Sequence, residues 1–143
     1  MFIKQLSVFI ENTQGNLSRV TDALAANNIN IISLSLADTS DFGLLRMIVS
    51  EPEKSVEALK NNGFMAKLAD VIAVKTANES GAIQKLLSVI SKSVNVEYMY
   101  ILSTSGATAS VIIKATPADD AVKTLTDAGY TLYTPEEAYS LQA

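Results

Sequence analysis

The polar groups best spaced for chemistry stand in two short stretches, Asn12-Thr13-Gln14-Gly15 and Asn78-Glu79-Ser80-Gly81. Each closes an apolar alternating run, and each precedes an apolar stripe at helical spacing: Leu17, Val20 and Leu24 after the first, Ile83, Leu86 and Ile90 after the second. A loop from a strand into the first turn of a helix presents backbone N–H groups without intrahelical acceptors, at the positive end of the dipole. Such a place suits a carboxylate or a phosphate. The glycine allows a tight turn and a close approach to a ligand, and an Asn amide offers donor and acceptor to both charged groups of a small zwitterion. Neither loop contains a basic residue, and the one acidic residue is Glu79, so a free amino acid fits better than a polyphosphate. Glycine and capping residues also serve strand-to-helix turns for structural reasons alone, so the loops by themselves are compatible with a role in folding only.

Composition removes most enzyme chemistries. The 143 residues include no cysteine and no histidine, so there is no disulfide, thiolate nucleophile or imidazole base. Ser-His-Asp and Cys-His arrangements are excluded. The 15 acidic residues show no D-x-D-x-D-G spacing for a hard metal. Catalytic residues, metals and cofactors are therefore not expected. Net charge is −4 and the 11 Lys and Arg residues are scattered, so no basic footprint for nucleic acid is present. Hydrophobic content of 48% with 18% charged residues predicts a packed core rather than disorder. Apolar runs are too short to span a membrane. The start, MFIKQLSVFIEN, alternates like a strand and lacks the form of a signal peptide, which predicts a cytoplasmic protein.

The elements that must position the two loops come from an internal repeat. A shift of 65 or 66 residues aligns Asn12 with Asn78, Gly15 with Gly81, Val20 with Leu86, Leu24 with Ile90, Pro52 with Pro117, Leu59 with Leu125, and Gly63-Phe64 with Gly129-Tyr130. In the first copy, residues 2–10 alternate as a strand and 16–27 carry a helical stripe. Residues 29–37 and 44–50 read as a hairpin, and Pro52 opens a second helix that Gly63 ends. In the second, residues 69–76 form a strand, 82–92 a helix, and 94–102 and 108–115 two strands. Thr116-Pro117 is expected to cap a helix with Pro at its first position, Gly129 to close it, and 130–133 to add a short strand. The end, PEEAYSLQA, reads as a helical turn or two, with Glu136 and Glu137 as helix N-terminal acids.

The order per copy is β-α-β-β-α with a weak final strand, which predicts an α+β, ferredoxin-like βαββαβ fold with an antiparallel sheet and both helices on one face. Two such repeats, 1–68 and 69–143, are expected to pack together, because so little chain separates them and each is small for a free-standing core.

At this point the sequence resembles the ACT domain family, the small ferredoxin-like regulatory modules of amino-acid metabolism. Asn12-Thr13-Gln14-Gly15-Asn16-Leu17, then ALAANNINIISLSL and the helix ending at Gly63, carry the resemblance in the first repeat; ANESGAIQKLL and SVNVEYMYIL carry it in the second. The family often has Pro before the glycine, where this chain has Gln14 and Ser80. In serine-binding members, the Asn before the turn holds the amino acid from one domain, and the Asn opening the second strand of a neighbouring domain reaches it from the other side. The resemblance assigns those parts to Asn12 and Asn30, and to Asn78 and Asn95, with side-by-side packing setting Asn12 opposite Asn95 and Asn78 opposite Asn30. A histidine of those members falls on Ile10 and Thr76, which leaves the identity of the amino acid open. The candidate ligand set is thus Asn12, Thr13, Gln14, Gly15, Asn16, Leu17, Asn30 and Ile31, with Asn78, Glu79, Ser80, Gly81, Ala82, Ile83, Asn95 and Tyr98.

Tyr98 and Tyr100 share one strand face, with Met99 on the other. Stacking on RNA bases is the alternative use of such a pair, but the strand at 109–115 lacks the aromatics that would complete a platform; interface packing is preferred. Arg46, mid-strand among apolar neighbours, is expected to pair with Asp38 or Asp41 across the hairpin. The function expected is an amino-acid sensor that homodimerises and modulates a partner enzyme or regulator, with no nucleic-acid or membrane partner. The alternative is a structural or regulatory subunit that binds an enzyme without a small molecule.

Overall fold

The computed structural model describes residues 2–141, apart from the side chain of Asp38. The chain forms β1 (Ile3–Glu11), α1 (Asn16–Ala26), β2 (Ile31–Asp38), β3 (Phe42–Val49), α2 (Pro52–Asn61), β4 (Met65–Ala77), α3 (Ala82–Ile90), β5 (Asn95–Ser105), β6 (Thr108–Thr116), α4 (Ala118–Asp127) and α5 (Pro135–Tyr139). Two compact units result, one built mainly from Lys4–Ala69 and the other mainly from Asp70–Ala138. The strand expected to close the first repeat and the strand expected to open the second are one strand of 13 residues, β4. Among the described residues no helix is long and apolar enough to cross a membrane.

In the N-terminal unit β3 runs antiparallel to both β1 and β2, with Leu6 opposite Met47 and Leu34 opposite Met47. Alternation puts Leu6, Val8 and Ile10 on the same side as Leu45, Met47 and Val49. There they meet Val20 and Leu24 of α1 and Leu59 of α2. The C-terminal unit repeats this core position for position: Ile72 and Val74 of β4 and Val111 and Ile113 of β6 meet Leu86 and Ile90 of α3 and Leu125 of α4. Each large side chain taken fully out of water contributes about 1.5–3 kcal/mol. The α+β, ferredoxin-like architecture of the sequence reading is therefore what the chain adopts, with antiparallel strands and the helices of each unit on one face.

Local departures have physical causes. Pro117 does not begin a helix: its ψ of 138° is extended, so it is the N-cap, no side chain caps the helix, and α4 starts at Ala118 with Asp119 and Asp120 in its first turn. The Thr116 hydroxyl instead donates to Glu97. Glu137 does more than face a helix dipole. Its carboxylate accepts from the Thr134 N–H at 3.1 Å while the Thr134 hydroxyl accepts from the Glu137 N–H at 3.2 Å, a reciprocal cap, and Lys75 pairs with it at 3.3 Å. A register shift in β5 between Val96 and Tyr98 lets Val96 and Met99 both reach the core, which leaves Tyr98 and Tyr100 on the other face. The last short strand is a single bridge, Val74 to Leu132. Arg46 stands across from Ser7 and Ser35 in the sheet; of its two expected partners, the Asp38 side chain lies outside the described residues. Of the expected helical end, Gln142 and Ala143 also lie outside them.

Candidate functional site

The two glycine loops fold alike. Gly15 and Gly81 are the N-caps of α1 and α3, in the left-handed region at φ 88° and 85°. A side chain there is strained, so glycine is what the turn demands. The N–H groups of Asn16 and Ala82 close the turn onto Thr13 and Glu79 carbonyls at 3.3 and 3.2 Å, and those of Arg19 and Lys85 bond Gly15 and Gly81 at 3.0 Å each. The amides between them, of Leu17 and Ser18 and of Ile83 and Gln84, have no acceptor among the described residues. Each unit thus presents two open donors at a helix N-terminus.

Beside each loop lies a groove within its own unit. The N-terminal one, about 490 Å³, is bordered by Glu11, Thr13, Asn16 and Arg19 and by Phe42, the cross-strand neighbour of Glu11, and Phe64. The C-terminal one, about 320 Å³, is bordered by Ala77, Glu79, Ala82 and Lys85, with Gly129 and Tyr130 across. Shifted by the repeat, Asn16 falls on Ala82, Arg19 on Lys85 and Phe64 on Tyr130. Duplicated sequence has therefore produced duplicated concavities with a cation at matched positions; each rim also carries one carboxylate, Glu11 or Glu79, at positions the repeat does not match.

Neither loop contains a basic residue, but the helix after each one brings a cation to its groove. Arg19 lies one turn into α1. Its guanidinium donates to Asn16 Oδ1 at 3.3 Å and to the Asn62 carbonyl at the end of α2 at 3.4 Å, and sits 4.9 Å from the centre of the Phe64 ring. No ion pair to Arg19 is formed among the described residues. The loop sequences alone hide it, but the 66-residue shift that pairs Gly15 with Gly81 also pairs Arg19 with Lys85.

The predicted residues do not all come together. Thr13 and Asn16, and Glu79 and Ala82, border the grooves, and Gly15 and Gly81 cap the helices beside them. Asn16 holds its loop in shape, donating to the Glu11 carbonyl at 2.9 Å and the Thr13 hydroxyl at 2.7 Å. Asn12 and Asn78 turn away, towards the hairpin of their own unit: Asn12 donates to the Thr39 and Ser40 carbonyls at 3.4 Å each, and Asn78 to the Gly106 carbonyl at 3.1 Å. Gln14 and Ser80 are exposed on the loops, Leu17 is exposed in the first turn of α1, and Ile83 packs partly against the core. Asn30 and Asn95 stand elsewhere. Asn30 exchanges bonds with Ser50 at the far end of β3, and Asn95 pairs with Thr116 at the far end of β6. The eight residues of β3 span roughly 26 Å, so Asn12 and Asn30 cannot touch one ligand from the same unit. Ile31 opens β2 against the core, and Tyr98 borders neither groove.

Comparison with known proteins follows the same outline. A family model described as an ACT domain pair matches residues 1–133. The chain is 30% identical over 92 residues to the acetolactate synthase small subunit of Buchnera aphidicola, covering 63% of this chain and 57% of that one. It is 32% identical over 87 residues to the acetolactate synthase isozyme 3 small subunit of Escherichia coli, covering 59% of this chain and 52% of that one. It spans about half the length of these curated relatives. Among solved structures, protein BT0572 from Bacteroides thetaiotaomicron superposes with a TM-score of 0.93 at 39% identity, over 99% of this chain and 98% of that one. The regulatory subunit of aspartate kinase from Thermus thermophilus shares the fold, with a TM-score of 0.67 at 21% identity over 88% and 92% of the two chains.

Proposed function

Since the chain belongs to the family of ACT domain pairs, we propose that it is a regulatory protein that binds a free amino acid and passes its occupancy to a partner enzyme of amino-acid metabolism. One observation carries this reading: in both units a left-handed glycine cap and two open helix amides stand next to a groove bordered by one cation and one carboxylate, the cations at matched positions of the repeat and the carboxylates at unmatched ones. The amides and the cation suit an α-carboxylate, and the rim carboxylate suits an α-ammonium. Small-subunit relatives that accompany a synthase support a partner that is an enzyme. Completion of a two-sided site by Asn30 or Asn95 requires a strand from another unit, because each stands at the far end of its own sheet.

A second copy of the chain is part of the proposal. β2 ends the sheet of its unit, and Leu34 and Leu36, on its core-facing side, remain 48% and 44% exposed. Covering them in a dimer removes apolar surface from water. The double variant Leu34→Lys/Leu36→Lys is expected to sediment as a monomer where the parent sediments as a dimer.

A thermal-shift screen of the full chain against the twenty amino acids tests sensing, because a ligand of the native state raises the melting temperature. Stabilisation by one or a few related amino acids is the expected result. An unmoved melting temperature across all twenty favours the second reading, a subunit that uses no small molecule, which is supported by the engagement of Asn12 and Asn78 with their own hairpins.

A further inference from the structure

The two grooves share a rim but not their walls. Five large apolar residues border the N-terminal groove: Phe9, Ile10, Phe42, Phe64 and Met65. Phe9, Phe42 and Met65 are 48%, 54% and 73% exposed; Phe9 and Phe42 alternate with the core residues of β1 and β3 and also border a second, smaller concavity of about 190 Å³ with Ala37 and Leu44. Strand register and the repeat put Thr108 where Phe42 stands, Lys75 where Phe9 stands and Thr131 where Met65 stands. Lys75 is also held away, paired with Glu137 and lying 4.7 Å from the Tyr133 ring centre. The C-terminal groove therefore keeps one ring, Tyr130, and two thirds of the volume.

From this asymmetry we infer that the N-terminal groove is an aromatic amino-acid site, and that the C-terminal groove does not share its ligand. The volume falls within the roughly 300–1,000 Å³ of small-molecule sites. Phenylalanine faces offer stacking and edge contacts to a ligand ring. Arg19, 4.9 Å from the Phe64 ring centre, provides the donor for the α-carboxylate, and Glu11 on the same rim serves the ammonium. A small polar amino acid would leave the phenylalanine walls wet and gain nothing from them. The inference rests on the amino-acid-binding reading above and adds the class of ligand and the unit that binds it.

Calorimetry of the full chain with L-phenylalanine, L-tyrosine, L-serine and L-aspartate, alongside the twenty-amino-acid thermal screen, tests it. The expected result is saturable binding of an aromatic amino acid, with Phe42→Ala, Phe9→Ala and Arg19→Gln each weakening it roughly tenfold. Phe9 and Phe42 are exposed, so the unliganded variants are expected to melt with the parent. Binding of serine or aspartate alone, or aromatic binding unchanged by both Phe9→Ala and Phe42→Ala, overturns the assignment while leaving amino-acid sensing standing. Failure of all twenty to bind overturns both.

Discussion

Gly15 and Gly81 have open space where a Cβ would go, so substitution there meets backbone strain and no clash. Gly15→Ala and Gly81→Ala are expected to cost about 1–2 kcal/mol each in urea unfolding, and Gly15→Asn less, because Asn tolerates the left-handed region. Glu137 gives a residue-scale prediction in pH. The Thr134 N–H, and then the Lys75 ammonium, hold its carboxyl below the ordinary value of 4.5. A folded pKa below the unfolded one contributes stability that is present above the unfolded value and is lost as pH falls through the folded value. Glu137→Ala should therefore melt below the parent at neutral pH, and the gap should close as the solution is acidified below about 4.5. The glycines were legible from sequence because φ > 0 leaves a residue-type signature. The Thr134–Glu137 cap has a local Thr-x-x-Glu signature that the reading of Glu136 and Glu137 as helix N-terminal acids passed over, and the ion pair to Lys75 was hidden because its partner is distant in sequence.

At the scale of elements, the apolar periods set the strands and helices, and the repeat put their cores in correspondence before any coordinates were known. Leu59 and Leu125 are matched residues on matched helices, both fully buried. Leu59→Ala and Leu125→Ala are each expected to cost about 2–5 kcal/mol, read from denaturant midpoints. What the periods could not give was the start of α4. Proline favours the first helical position, and only the extended ψ of Pro117 shows that it is the N-cap here. Nor could they give the shift in β5, because a bulge breaks the alternation from which strand faces are read. Arg19 was hidden for a similar reason. It belongs by sequence to a helix and by geometry to the groove that the loop borders, where the end of α2 and Phe64 hold its guanidinium.

At the scale of the molecule, duplication accounts for two loops, two cores and two grooves, and divergence accounts for their different walls. A protein that reports on a metabolite needs a site whose occupancy changes what a partner meets. The most direct test of whether these loops are that site is an amide NMR titration of the labelled full chain with the amino acid that most raises its melting temperature. The account predicts saturable shifts centred on the N–H groups of Leu17 and Ser18, or on their counterparts Ile83 and Gln84, with Arg19 or Lys85 moving alongside. Shifts confined to residues away from both glycine turns, or a spectrum that none of the twenty amino acids alters, would contradict it.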